Sequence, residues 1–463
     1  MTGEALVSSV LVIDRMFDLK NVKSFYEDYG NRISAVRRVF GRPLTLSEKI
    51  LYSHCFDLSS LRPLKSREDV GAFRPDLFEP LVPSPARCEV VLEKFAFPGG
   101  LLLGPDTCAP GAGGMGMLAF GTDAAGVAEV TAGRAWKLRM PRLIGVRLTG
   151  TLKSWASPKD VILKLTGMLT AQGGRDAVIE YFGPGTENIS CAGKATICKM
   201  GAETGAIGSV FPFGVHIAEY LAATGRAEVA AMASALSAEL RADDAVTVRP
   251  EQYFDEVLQI NLSELEPYVN GPLSPDAACP LSGMKARCAQ ERLPLRVDLC
   301  RIGFSSYQDF ARAAFVTRGA LDAGLRPKAE LTVIVGSARL RATAERDGLL
   351  DTLREAGAVV TDACGDCSGQ PEHREDEPSR VVVTTFRCKP DGYSFVVSPV
   401  MAVALAFAGE LNYDPRSDTV DGVWLQAPRG ENLPPRGFAP DSNDDSAPKF
   451  FVSCEPEKPL TDE

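Results

Sequence analysis

The chain predicts an α/β fold organised as α/β/α layers, sheets of largely parallel strands covered by helices. Three observations carry this. Short β-rich apolar runs alternate with segments of helical periodicity from Ile144 to Tyr181 and again from Leu295 to Ala408, the signature of strand–helix–strand units. Hydrophobic residues make up 45% and charged residues 24% of the 463 positions, enough to bury several cores and too apolar for a disordered chain. No apolar run approaches the roughly 18 residues of a membrane-spanning helix, so the apolar faces must be buried against one another.

Taken in order, the stretch Met1–Lys20 has an apolar patch at Leu6–Ile13, but Glu4, Asp14 and Asp18 do not suit a basic, acid-poor leader. Residues 21–56 read as helical: apolar positions at helical spacing in Asn31–Phe40, followed by a capping box at Thr45-Leu46-Ser47-Glu48, predict two short helices joined at Gly41-Arg42-Pro43. Asp57 to Pro85, rich in Pro, Arg and Asp, reads as a surface connector with no element. Residues 98–116 (PGGLLLGPDTCAPGAGGMG) combine a short strand with a Gly-rich turn, and Leu118–Ala132 is expected to be helical. The Gly113–Gly116 cluster fits neither a Walker loop nor a dinucleotide fingerprint, so close helix–strand packing is favoured over phosphate binding.

A strand at Ile144–Gly150, a helix at Asp160–Ala171 and a strand at Ala177–Tyr181 come next. Pro267–Pro280 reads as a linker region. Past Pro294 the pattern predicts strands at Leu295–Leu299, Leu331–Val335, Ala358–Thr361 and Val381–Thr385, with helices at Ser306–Ala323, Ala342–Ala356 and Val400–Ala408. Beyond Gln426 an excess of Pro, Asp, Asn and Ser predicts an extended arm.

Fifty basic against sixty acidic side chains leave a net charge of −10, which disfavours an extended phosphate-binding face and hence direct nucleic-acid binding. Three histidines, His54, His216 and His373, limit any mechanism built on imidazole. The twelve cysteines are scattered except for Cys364 and Cys367, which suits a reducing compartment. These two thiols, three positions apart at the end of an expected strand, are compatible with a metal ligand pair, a redox pair or two inert side chains.

Five blocks, Arg42–Ile50 (RPLTLSEKI), Leu152–Lys164 (LKSWASPKDVILK), Glu180–Gly185 (EYFGPG), Ile189–Glu203 (ISCAGKATICKMGAE) and Ile260–Leu265 (INLSEL), closely resemble the aconitase family, in particular its mitochondrial type. The resemblance runs in order from about Asn31 to about Ala427. It implies three aconitase-like α/β/α domains without the fourth, swivel domain. The expected limits are an N-terminal extension at 1–30, a shortened first domain at 31–142, a second at 143–270, a linker at 271–292, a third at 293–427 and the extended tail at 428–463. The family interconverts citrate and isocitrate on a [4Fe-4S] cluster held by three cysteines, with acid–base groups and arginines around it.

Several of those parts are altered. Cys364 and Cys367 fall on two of the three cluster positions, whereas the third is occupied by Ile302, and Cys300, two residues upstream, needs a local register shift to substitute. The family's Asp-Ser-His motif stands here as Asp106-Thr107-Cys108. A family asparagine near the cluster is Lys199, while the acid that follows it is kept as Glu203, expected to serve Lys199 as a carboxylate partner. The segments 57–87 and 387–395 are short, removing a glutamine, histidines and carboxylate-binding arginines, for one of which Arg387 is a candidate stand-in. Asp106, Thr107 and Glu203 are therefore expected to be remnants rather than catalytic residues. No cofactor is expected, with [4Fe-4S] reserved for the case in which Cys300 replaces the lost ligand. These departures imply a protein that is not an enzyme, a structural subunit of a larger mitochondrial assembly such as a ribosome, an ATP synthase or a respiratory complex, with protein partners and no tricarboxylate ligand. The alternative is a hydro-lyase, or a tricarboxylate- or Fe–S-binding protein, working with a separate swivel subunit.

Overall fold

A computed structural model describes residues 19–78, 91–104, 109–274, 276–361, 380–386, 393–440 and 451–452. The first helix, Leu19–Phe40, spans 22 residues and is not short. Its apolar stripe, Val22, Tyr26, Tyr29, Ile33 and Val36, is buried on one face and falls within the stretch expected to be helical. It stops before Gly41, whose φ of +61° suits glycine. The helix Leu46–Ser53 opens on the expected capping box of Thr45 and Glu48, and all of its residues are buried. Its first amides are held by a carboxylate from elsewhere. Glu180 accepts from Leu46 N at 2.9 Å, Ser47 N at 2.7 Å and Ser47 Oγ at 2.7 Å.

The connector expected after Asp57 contains strands. β1 (Val70–Phe73) pairs antiparallel with β5 (Trp136–Arg139), in register from Val70 opposite Arg139 to Phe73 opposite Trp136. β2 (Leu77–Phe78) joins β3 (Leu101–Gly104) and β4 (Leu118–Gly121) in a parallel sheet whose outer edge is covered by β17 (Phe451–Val452), antiparallel to β2. Strands this short depend on partners far away in sequence, which no local period announces. The helix expected over Leu118–Ala132 is divided for a similar reason. Leu118, Ala119 and Phe120 are all buried in β4, and the helix begins only at Ala124, N-capped by Asp123 onto Gly126 N at 2.9 Å.

The second sheet is parallel throughout, in the order β8 (Gly208–Val210), β7 (Ala177–Phe182), β6 (Arg142–Thr149), β9 (Glu256–Asn261). Helix Pro158–Gly173 packs against it with Pro158 in its first turn. The Gly-rich turn Ala109–Met115 lies on helix Cys191–Lys199, and a Cβ at Gly114 would fall 2.2 Å from Ala195 N. This cluster therefore serves close packing, as expected.

The third sheet has seven strands, ordered β11 (Ala278–Pro280), β10 (Tyr268–Asn270), β16 (Tyr393–Val396), β15 (Val381–Thr384), β12 (Leu299–Phe304), β13 (Glu330–Val335), β14 (Val359–Thr361). β10 and β11 lie in the expected linker region Pro267–Pro280, which instead supplies the antiparallel edge of this sheet. The strand expected at Leu295–Leu299 sits later, because burial alternates through Cys300, Ile302 and Phe304. The helix expected at 342–356 is two, Ala338–Arg346 and Leu349–Glu355, broken at Gly348 with φ of +72°. Helix Pro399–Ala408 is buried along its entire length.

The arm after Gln426 is tied down as far as it is described. Arg436 pairs with Asp347 at 2.5 Å, Ala439 N donates to Thr343 Oγ1 at 2.9 Å, and Phe438 meets the ring of Tyr220 edge-on at 5.9 Å. Among the described residues no helix is long and apolar enough to cross a membrane.

Candidate functional site

The start of helix Pro158–Gly173, in the second layer, meets the carboxyl ends of β12 and β15 in the third. Parallel sheets present ligand sites at such strand ends. Lys159, at the second position of the helix, has only 7% of its surface exposed, and its Nζ donates to the Thr385 carbonyl just past β15. Thr385 Oγ1 in turn accepts from Gly303 N at 2.8 Å, which fixes that carbonyl against β12. A lysine here opposes the helix macrodipole and sits out of water, two costs a packing residue would not incur. Burial first, then the Lys199 ammonium, push the Lys159 ammonium down to about 8.

The surrounding acids are largely committed. Asp160 accepts from Tyr268 N at 2.9 Å and from Ser157 N and Oγ at 2.8 Å each, and burial pushes its carboxyl up to about 6. Asp309 bonds Ser306 Oγ at 2.8 Å, and burial raises it as well. Arg312 donates to the carbonyls of Ser154 and Ala156 at 3.0 Å, so the turn before the helix is clamped from the third layer. Lys199 ends helix Cys191–Lys199, and Glu203 lies in the 3-10 turn Gly201–Thr204 that follows. Both are half-buried, and both exert their charge on Lys159.

Of the residues named from the sequence, Glu203 and Lys199 lie near enough for their charges to act on Lys159. Asp106, Thr107, Cys108, Cys364, Cys367, Arg387 and His373 lie outside the described residues. Ile302 and Cys300 lie on β12, both fully buried, Ile302 opposite Val333 and Cys300 between Leu331 and Val383. Burial pushes the Cys300 thiol up, away from the thiolate a metal needs. Two residues along a strand is about 7 Å, and sliding β12 that far would break its pairing with both neighbours. Neither residue fits the third ligand of a three-cysteine cluster: Ile302, expected at that position, is a buried hydrocarbon, and Cys300 is locked in the core. Among the described residues no group of three or more His, Cys, Asp and Glu could hold a metal ion.

His54 is structural. Its Nδ1 lies 2.6 Å from Ile50 O and its Nε2 2.7 Å from Asp76, which also accepts from Leu101 N. The residue that sequence reasoning passed over is Lys159. Its signal was local: Ser157-Pro158 announces a helix start, and a cation in that first turn works against the dipole.

Comparison with known proteins agrees with these local similarities. The family model described as Aconitase family (aconitate hydratase) matches residues 88–409. A mitochondrial aconitate hydratase of Schizosaccharomyces pombe is 42% identical over 379 residues, covering 78% of this chain and 47% of its own length. One from Emericella nidulans is 36% identical over 536 residues, covering 96% of this chain and 68% of its own. Among solved structures, Thermococcus kodakaraensis aconitase X in its holo-form aligns with a TM-score of 0.35 and 12% identity, covering 70% of this chain and 68% of that one. The chain thus spans about half to two thirds of the length of these curated relatives. The expectation that it is not an enzyme is corrected by them, since the relatives are named as aconitate hydratases. They lend no support to a structural-subunit role either. With the family model matching residues 88–409 and identities of 36–43% to its members, this chain belongs to the aconitase family.

Proposed function

We propose that the chain is the substrate-holding part of an aconitase-type hydro-lyase for a tricarboxylate, completed by a separate subunit that carries the fourth, swivel domain. The observation that supports this reading is the 42% identity over 379 residues to an aconitate hydratase. Mitochondrial residence belongs to the same proposal, because the relatives are mitochondrial proteins.

Reversible dehydration beside a carboxylate needs positive charge to hold the substrate's carboxylates, a group that exchanges a proton with carbon, and an acid for the departing hydroxyl. In this chain Lys159 and Lys199 supply the positive charge, and Glu203 supplies a carboxyl group. The base and further cations come from the second subunit. No step runs through an iron–sulfur cluster, given the hydrocarbon at Ile302. Mixing the purified chain with the fourth domain of the Schizosaccharomyces pombe relative, expressed separately, tests the reading. Ultraviolet absorbance of aconitate should grow from citrate in the mixture and stay flat with either part alone. A mixture that neither turns over citrate nor gains thermal stability from it rules the reading out.

A further inference from the structure

The two-stranded ribbon of β1 and β5 has an unused edge. Among the described residues β5 pairs with β1 alone. Ala72, in the middle of β1, turns its carbonyl to the far side, where it accepts from Phe56 N at 2.9 Å. Successive residues of an antiparallel strand turn their backbone groups to opposite sides, so Gly71 and Phe73 are the ones that bond β5. Leu138 and Trp136 stand opposite them, and Met140 N continues the pattern on Asp69 O at 3.0 Å. The backbone groups of Lys137 and Arg139 therefore point away from β1, towards the open edge.

The side chains of the same two residues are exposed, while Trp136 and Leu138 are buried. Two more exposed cations flank the strand. Arg134 precedes it, and Arg67 N donates to Met140 O at 2.8 Å just past its end. None of these four side chains has an ion-pair partner among the described residues, and the acids beside Arg67 are taken: Arg62 holds Asp69 at 3.3 Å and Lys65 holds Glu68 at 3.4 Å. Arg67 has a φ of +62°, a conformation that glycine adopts without strain, yet a cation stands there. One charge is enough to blunt an edge against stray pairing. Four unanswered cations in a chain of net charge −10 exceed that need, and Val70, opposite Arg139 and 56% exposed, adds an apolar contact.

We propose that β5 is a docking edge for an extended acidic segment of a protein partner, which adds to it as a further strand and sets carboxylates opposite Lys137 and Arg139. The main chain of such a segment bonds the outward backbone groups of these two residues. Carboxylates at every second position, about 7 Å apart, match the spacing of their side chains. Edge addition needs amide donors and carbonyl acceptors at strand spacing, which a protein segment has and a phosphodiester chain or lipid headgroup lacks. The proposal stands apart from the hydro-lyase reading, which is unaffected if it fails.

Fluorescence polarisation of a labelled, end-capped peptide of alternating Glu and Thr, titrated with the full chain, tests the proposal. Binding should weaken as salt rises. The double variant Lys137→Glu, Arg139→Glu should weaken it about tenfold or more at an unchanged melting temperature, both side chains being exposed. Arg67→Gly should also weaken it without lowering the melting temperature, because the turn suits glycine. In the wild-type complex, amide hydrogen exchange at Lys137 and Arg139 should slow, and the same peptide N-methylated along its pairing side should not bind. Equal binding by the N-methylated peptide, or by the double variant, overturns the proposal. So does a peptide that does not bind at all, and capture of the chain by phosphatidylglycerol vesicles or single-stranded RNA in its place would make the patch a general anion surface.

Discussion

Replacing Lys159 by Met removes the buried charge while keeping an unbranched side chain of similar length. The ammonium is depressed from 10.5 to about 8, a penalty on the charged form of about 3 kcal/mol. In the unfolded chain the same group keeps its proton up to about pH 10.5. Between about pH 8 and 10.5 the unfolded state therefore binds more protons than the native state, and native stability rises with pH through that window. Below about pH 8 the full penalty is present. The Met variant has no such titration, so the lost hydrogen bond to Thr385 and the change in packing are constant offsets. The stability difference, wild type minus variant, should thus climb by about 3 kcal/mol from pH 7.5 to pH 10.5. Denaturant unfolding followed by tryptophan emission reads this close to the site, since Trp155 is four residues away and 3% exposed. A difference that is flat with pH, or that falls, would refute the claim that Lys159 is a buried cation without a compensating partner.

Glu180→Gln keeps the shape of a side chain that caps helix Leu46–Ser53 but turns one acceptor into an NH2 group facing a backbone donor. Denaturant titration should show a loss of about 2 kcal/mol. Lys194, fully buried 5.8 Å from the Phe211 ring centroid with no hydrogen bond at Nζ, is dispensable to the fold. Lys194→Met should raise stability by about 1–3 kcal/mol, and a fall in melting temperature would contradict this. Ile302→Cys restores a thiol at the position aligned with the third cluster cysteine. Anaerobic reconstitution with iron and sulfide should give broad visible absorption in the variant and not in the wild type, and equal absorption in both would show that another residue already ligates.

The helices and parallel strands of the second and third sheets were legible from local signals: Ala177–Phe182 is a short apolar run buried at every position, and Tyr307–Asp322 begins at a capping serine, Ser306. What could not be read is set by long-range pairing. β1 and β2 are too short to announce themselves, and β10 and β11 look like a Pro-rich joint until they add to β16. β12 was expected too early because Leu295–Leu299 alternates apolar and charged residues, whereas its pairing with β13 begins at Leu299. For the site, Lys199 and Glu203 were visible as a departure from a familiar block and as a retained acid within it. Lys159 was not, because its meaning comes from burial and from Thr385, more than two hundred residues away.

Several separate fasteners tie the helices of the third sheet to the rest of the chain. Glu93 holds Ser337 at 2.6 Å, Ser190 holds Gln308 at 2.8 Å, Gln308 reaches on to Asn432 at 2.6 Å, and Phe438 wedges between Tyr220 and Arg339. Bolted at so many points, these elements keep one spacing, as the jaws of a locked calliper do. Anything that lodges at this seam meets walls already set in place.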